Sequence, residues 1–411
     1  MSDVLVLGAG MVGVCAALEL VARGHSVVLV DRKAPGQETS YGNAGIIQRE
    51  AVVPYAFPRD WTMLLRTALK RGSDVNYHAG ALPGLLPRLA RYWHASAPAR
   101  HAAIARDYSR LIEHCLSEHA PLIEAAGAQD LVRREGYRVL FRTSATFDAA
   151  AMQARTLATD FGLRVELLDG AALARAEPGL QMPLAGAIHW LDPWTVSDPG
   201  ALVARYAALF ERRGGRLLRG DAASLRLQAG GGWRVQTAAG PVDARSVVIA
   251  LGPWSGGVAA SLGYRLPLFV KRGYHSHYTG GPGLRLPLLD AERGYVLAPM
   301  ARGLRLTTGA EFARLDAPPT PRQLAGAERA ARELLMLSGP VEATPWLGAR
   351  PCTVDMKPVI GQAPRHSSLW FDFGHAHQGF TLGPASARLL ADLIDGTKPF
   401  VDPAPFAASR F

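Results

Sequence analysis

The chain has 411 residues, of which 48% are hydrophobic and 19% charged, so it can bury a sizeable core in two domains, which excludes a disordered chain, a collagen and a coiled coil. The net charge of +10 raises the question of nucleic acid, but the basic residues are scattered singly and only five are lysine (Lys33, Lys70, Lys271, Lys357 and Lys398). That skew toward arginine follows the codon usage of a GC-rich genome, so no nucleic-acid partner is expected, while an acidic lipid surface or an anionic substrate stays compatible with the charge. Cys15, Cys115 and Cys352 form neither a disulfide framework nor a metal-ligand spacing, so no metal is expected and a reducing, cytoplasmic location is. The run Val4 to Leu7 has no basic leader, and no window holds about 18 uninterrupted apolar residues, so neither a signal peptide nor a membrane span is expected.

In chain order, Asp3 to Leu7 reads as a buried strand, Gly8 to Gly13 as a glycine turn, Val14 to Arg23 as a helix and Ser26 to Val30 as a second strand ending at Asp31. Residues 35–58, rich in Gly, Ser, Asn and Pro, predict a long loop around Thr39-Ser40-Tyr41-Gly42-Asn43-Ala44-Gly45, and long ordered loops are usually functional. Residues 84–127 and 146–161 carry helical periodicity and suggest an inserted helical layer. A helix over 199–213 leads into short strands that end at Ser246 to Gly252. Residues 266–278, 294–300 and 304–309 alternate as an antiparallel sheet does. Leu369 to Phe373 reads as a strand, Gly374 to Gly383 as a loop and Pro384 to Ile394 as the last helix.

Gly8, Gly10 and Gly13, with Ala9, Met11 and Val12 between them, sit between a strand and a helix. They permit a tight turn, a close approach of backbone to a pyrophosphate and close helix packing, while the helix N-terminus favours the phosphates. Asp31, about 20 residues on, is placed for an adenosine ribose. Arg32 borders the same position, as an exposed arginine rather than a ligand of a 2′-phosphate. Dinucleotide binding follows from this arrangement, with NAD and FAD both open at this point.

Four further segments resemble those of the D-amino acid oxidase type of FAD-dependent oxidoreductases, in particular D-amino acid dehydrogenase small subunits and glycine oxidases. They are Thr39 to Gly45, Ala250-Leu251-Gly252-Pro253-Trp254-Ser255, Gly348-Ala349-Arg350-Pro351-Cys352-Thr353-Val354-Asp355, and Gly374-His375-Ala376-His377-Gln378-Gly379-Phe380-Thr381-Leu382-Gly383. The resemblance implies a mixed α/β fold: a Rossmann-like FAD-binding domain (1–48, 195–262 and 346–411) and an α+β substrate domain on an antiparallel sheet (49–194 and 263–345). It implies FAD lined by Thr39, Ser40, Asn43, Ala44, Gly45, Ile46, Gly252, Trp254, Arg350, Gly374, His377 and Gln378. Backbone amides of Gly379, Phe380 and Thr381 would face the flavin pyrimidine edge, where N–H groups stabilise developing negative charge.

For the substrate, the resemblance points to Arg350, whose guanidinium grips a carboxylate bidentately and so aims Cα–H at the flavin. Lys271 to Tyr278 is expected on a substrate-domain strand, with Tyr274 and Ser276 on one face and His275 and His277 on the other, either face being placed to meet substrate. Tyr274 and His377 join Arg350 as expected catalytic residues, and Tyr278, His375 and Tyr55 as substrate-binding ones. Val354 replaces a proline usual in the family, so the local turn is expected to differ. Cys352 is set closer to Asp355 than a flavin-attachment cysteine would be, so FAD is expected to bind non-covalently.

The implied activity is dehydrogenation of a D-amino acid, or of a secondary amino acid such as D-proline or D-hydroxyproline, to an imine by hydride transfer to the flavin. A quinone or another carrier takes the electrons. Glycine or sarcosine oxidation with oxygen, and a NAD-dependent dehydrogenase, are the alternatives. A homo- or hetero-oligomer and peripheral attachment to the inner membrane face are compatible with the sequence.

Overall fold

In the computed structural model, which describes residues 2–69, 75–280 and 283–411, two large sheets organise the chain. The first is centred on strand Ser2–Leu7, parallel to Val27–Asp31 on one side and to Gly240–Ile249 on the other. Arg216–Leu227 and His366–Phe373 extend it outward, also parallel. Strands covered on both faces must be continuously apolar, and Val4 to Leu7, Val27 to Val30 and Val247 to Ile249 are all buried. Trp233–Thr237 pairs antiparallel with both Arg216–Leu227 and Gly240–Ile249, and Val359–Ala363 closes the far edge antiparallel to His366–Phe373. Helix Met11–Ala22 packs on the last helix, Gly379–Asp395, so closely that a Cβ at Gly383 would stand 2.7 Å from Met11 Cγ.

The second sheet runs from Val75–Tyr77 through Ala310–Phe312, Leu268–Tyr278, Gly303–Thr307, Tyr295–Met300, Leu288–Asp290, Tyr137–Phe141 and Gly186–Trp190 to Val165–Asp169. It is antiparallel apart from two parallel pairings, Leu288–Asp290 with Tyr137–Phe141 and Ala310–Phe312 with Val75–Tyr77, which the alternating pattern does not disclose. The helical layer over 84–127 is three helices, Leu82–Ala95, Pro98–Ile112 and Cys115–Ala125.

Two elements depart from the sequence reading. Trp346–Thr353, expected within the FAD-binding portion, pairs along its whole length with Leu268–Tyr278 in the second sheet. The last helix begins at Gly379, not at Pro384. A proline inside a helix leaves the carbonyl four residues earlier without its donor. Here that carbonyl, Phe380 O, accepts instead from His119 Nε2 of helix Cys115–Ala125 at 3.0 Å, while His119 Nδ1 lies 3.1 Å from the Tyr206 hydroxyl. Burial pulls the His119 pKa down to about 4, so the ring is neutral and carries the single N–H that this arrangement needs.

Candidate active site

A cavity of about 930 Å³ opens between the two sheets and is bordered by residues of all five motif segments. At one end stands the fingerprint. Gly8 adopts φ +108°, and a Cβ there would meet Ala250 O at 2.4 Å; a Cβ at Gly13 would meet Gly8 O at 1.8 Å. These two glycines are required by packing of the protein against itself. Gly10 differs, because its nearest atom would be Ser40 Oγ at an ordinary 3.4 Å, so the empty space over its backbone is left for a ligand. Gly10, Met11 and Val12 bring a helix N-terminus to the cavity, where Ser40 Oγ accepts from Met11 N–H at 2.9 Å. Asp31 holds the turn by accepting from Ala9 N–H (2.7 Å) and Lys33 N–H (2.9 Å), and it borders the cavity. Arg32 lies 4.2 Å over the Trp254 ring and bonds to Glu38, forming the outer wall of this end with Gly252.

The middle of the cavity is made by two loops. Thr39 Oγ1 donates to Ala349 O at 2.9 Å, tying the Thr39 to Gly45 loop to the residue before Arg350. Asn43 Oδ1 accepts from Gly45 N–H at 2.8 Å, and Arg305 donates to the carbonyls of Tyr41 and Asn43 at 2.8 and 2.6 Å. Ser40, Asn43, Ala44 and Ile46 face the cavity, whereas Gly45, at φ +69°, serves its own turn against Val196. On the other side, Ala376 N–H donates to Pro351 O at 2.8 Å and Ala376 is held at φ +51°, a left-handed conformation that a residue with a Cβ enters at a cost of about 1–2 kcal/mol. Gly374, His375, His377, Gly379 and Phe380 border the cavity. Gln378 and Thr381 do not; their side chains bond to each other at 2.7 Å and to Gln48, fixing the first turn of the helix from behind.

Buried polar atoms at this site lack protein partners. Both Asp372 carboxyl oxygens, His375 Nε2 and His377 Nδ1 have no hydrogen bond among the described residues. Burial holds Asp372 well above the usual carboxylate range, His375 down at about 3 and His377 far below its ordinary value. His375 Nε2 stands 3.4 Å from Asp372 Oδ1, and with both shifts toward the neutral form this is a neutral pair rather than an ion pair. A helix N-terminus, an open cradle over Gly10 and orphaned polar atoms beside Gly374 to Phe380 suit a polar dinucleotide with a flavin ring.

At the far end, strands Leu268–Tyr278 and Trp346–Thr353 place Lys271 opposite Arg350, Gly273 opposite Gly348 and His275 opposite Trp346. Directly paired residues share a face, so the face toward the cavity is that of Lys271, Gly273 and Arg350. The glycine pair leaves a trough, and the guanidinium lies across it: a Cβ on Gly273 would fall 2.8 Å from Arg350 Nη2. Arg350 donates to Gly309 O (2.9 Å) and Thr308 O (3.2 Å) and has no carboxylate partner among the described residues. Desolvation draws its pKa below the ordinary arginine value. Tyr55, 58% exposed at the mouth, sets its ring 4.9 Å from that of His377.

Of the two faces left open on Leu268–Tyr278, the pairing turns that of Lys271 and Gly273 to the cavity. Tyr274 borders the cavity, but its hydroxyl accepts from Thr320 N–H at 2.7 Å and donates to Glu311 at 2.9 Å within a buried network with Arg272. Tyr278 lies off the cavity, packed in the apolar cluster under helix Arg322–Leu334. Of the three expected catalytic side chains, only Arg350 and His377 keep a free polar group at the cavity. Sequence reasoning passed over Lys271, Gly273, Tyr92 and Phe312. A lysine directly after the apolar run Leu268 to Val270, in a chain with only five lysines, was the available signal for the first.

The model of the FAD-dependent oxidoreductase family of the D-amino acid oxidase type matches residues 3–393. A D-amino acid dehydrogenase of Cereibacter sphaeroides is 32% identical over 99% of this chain and 95% of that protein. A D-amino-acid oxidase of Bradyrhizobium diazoefficiens is 30% identical over 99% of this chain and 98% of that protein. Glycine oxidase from Geobacillus kaustophilus superposes with a TM-score of 0.74 at 23% identity, covering 100% of this chain and 99% of that one. A match across nearly the whole length removes the nicotinamide alternative, and with it settles the cofactor: the chain belongs to the FAD-dependent oxidoreductases of the D-amino acid oxidase type.

Proposed function

We propose that the protein dehydrogenates a D-amino acid, or a secondary amino acid such as D-proline or D-hydroxyproline, to its imine. The observation that carries this reading is Arg350: a desolvated guanidinium without a carboxylate partner among the described residues, anchored by two carbonyls and turned toward the cavity beside the flavin-loop contacts. A substrate carboxylate would complete it, because a bidentate pair in a low-dielectric site fixes both position and orientation. FAD, when bound, accepts two electrons and the hydrogen from Cα. The chain's part is to hold the carboxylate at Arg350, to present neutral His377 with its open Nδ1 as a hydrogen-bond partner for the substrate amine, and to narrow the mouth with Tyr55. The first turn of helix Gly379–Asp395 turns toward the flavin pyrimidine edge in this reading.

Support for the D-configuration comes from the two sequence relatives, named for D-amino acids. Cys15, Cys115 and Cys352 are buried and none borders the cavity, which supports FAD bound without a covalent link. An electron carrier at a membrane surface is favoured by the exposed Trp61, Leu65, Leu69, Leu86 and Trp93, on or next to two helices that also send Leu64, Thr67 and Tyr92 to the cavity. Among the described residues no helix is long and apolar enough to cross a membrane, so such contact would be peripheral.

The test is an anaerobic absorption spectrum of the FAD-loaded protein against a panel of D- and L-amino acids, D-proline, hydroxy-D-proline, glycine and sarcosine. Bleaching of the oxidised-flavin bands by D-enantiomers or cyclic imino acids is the expected result; bleaching only by L-enantiomers overturns the reading. Slow recovery in air and fast recovery with a quinone analogue are expected for a dehydrogenase, and the reverse identifies an oxidase.

A further inference from the structure

Lys271 is a buried lysine whose charge no carboxylate among the described residues answers. Its Nζ donates to the Tyr92 hydroxyl at 3.2 Å, and that hydroxyl in turn donates to Tyr55 O. Three rings surround the ammonium, with centroids at 4.6 Å (Tyr92), 5.9 Å (Phe269) and 6.0 Å (Phe312). Among the described residues it has no ion pair and no hydrogen bond besides that to Tyr92, so two of its three donors remain unused. Cys352 is its nearest candidate for a counter-charge, but burial raises that thiol's pKa and keeps it neutral. Arg350 stands directly opposite in the strand pair, on the same cavity-facing side, and it too lacks an anionic partner. Directly opposite residues of an antiparallel pair have Cβ atoms about 5 Å apart.

Two adjacent buried cations with no carboxylate cost free energy, since each is desolvated and each repels the other. The desolvation and the neighbouring guanidinium both lower the Lys271 pKa. A ligand with one carboxylate answers only one of them. We infer that this end of the cavity is built for a doubly anionic substrate, an amino dicarboxylic acid whose α-carboxylate pairs with Arg350 and whose second carboxylate pairs with the Lys271 ammonium on the side that its aromatic cage leaves open to the cavity. The inference rests on the carboxylate role of Arg350 in the proposed function. Lys271 is then a specificity residue: the aromatic cage holds its stem and fixes its distance from Arg350, selecting the length of the acid.

The experiment is a spectral titration of the FAD-loaded protein with unreactive acids: acetate and propionate against malonate and succinate, read as perturbation of the flavin bands. The better of the two diacids is expected to bind at least tenfold more tightly than the monoacids. Lys271→Met, close in length and apolar, is expected to lower that ratio at least tenfold, and Lys271→Arg to restore most of it. D-aspartate or D-glutamate should correspondingly reduce the flavin at lower concentration than its amide. Equal affinity for mono- and diacids in the natural protein overturns the inference, as does a ratio that Lys271→Met leaves unchanged; in both cases monoacid binding that is lost in Arg350→Ala still upholds the proposed function. Failure of every acid to perturb the flavin overturns both readings together.

Discussion

The two ends of the cavity are built by opposite means. At the fingerprint end the groups offered are backbone, set by Gly8 and Gly13, whose side-chain positions the protein itself fills, and the acidic Asp31 already has its hydrogen bonds. At the Arg350 end the groups offered are side chains left unanswered by the described residues: two cations without anions and a histidine nitrogen without a hydrogen bond. A cofactor that stays through every turnover is met by a surface that is stable on its own. On the proposed reading, a substrate that leaves is met by groups whose electrostatic complement it must bring.

That contrast predicts different failures. Gly13→Ala has the largest expected effect, because its Cβ would overlap the Gly8 carbonyl with only backbone available to give way. Insoluble protein or protein without flavin is expected, read from the ratio of absorbance at the protein and flavin bands; full FAD content would contradict the close-packed turn. Arg350→Ala comes next, with KM for the amino acid raised at least ~100-fold, about 3 kcal/mol, and FAD content normal. Gly273→Ala tests the trough: its methyl would push the guanidinium away from Gly309 O and Thr308 O, raising KM about tenfold while leaving Arg350 in place. An unchanged KM in that variant would show that the guanidinium has room to shift without loss.

A change of stability rather than of activity concerns Glu50, a buried carboxyl off the cavity that accepts from Tyr137 and Gln48 of its lining while its second oxygen has no hydrogen bond among the described residues. Burial pushes its carboxyl up to about 7 from an ordinary 4.5. A raised folded-state pKa means that the folded protein holds a proton the unfolded chain releases, so the stabilisation is complete below about pH 4.5 and lost as pH rises through 7. Glu50→Gln keeps an acceptor for both neighbours and removes the titration. Its Tm is expected to stay level from pH 5.5 to 8 where the natural protein's falls, a difference of up to about 3 kcal/mol at the alkaline end. Parallel pH profiles would place the Glu50 carboxyl in its ordinary range.

Legibility in the sequence follows the same division. The strand, turn, helix and Asp31 of the fingerprint lie within about thirty consecutive residues, and their spacing alone carries the geometry. Helices such as Ser144–Phe161 and Pro199–Arg212 were plain from periodicity for the same local reason. The substrate end joins residues 55, 92, 271, 308, 350 and 377, and which face of Leu268–Tyr278 meets the cavity depends on the strand Trp346–Thr353 that pairs with it. Alternation told the two faces apart but had no means to say which was inward. Tyr274 is therefore expected at the substrate on its residue type alone, although the tyrosine is claimed by Glu311 and Thr320. The start of the last helix was misread because Pro384 resembles a helix opener, and only a histidine some 260 residues away makes the proline tolerable in the interior.

That histidine joins two parts of the molecule mechanically. The first turn of helix Gly379–Asp395 borders the cavity with one side and is held from behind by an imidazole belonging to the helical layer. The turn's position is thus slaved to helix Cys115–Ala125, and through the Tyr206 hydroxyl to helix Pro199–Arg212 as well. A tilt of those helices would therefore be felt as a displacement of the helix's first turn at the cavity wall. The layer that looks like an ornament on the first sheet is in effect a buttress of the cavity wall.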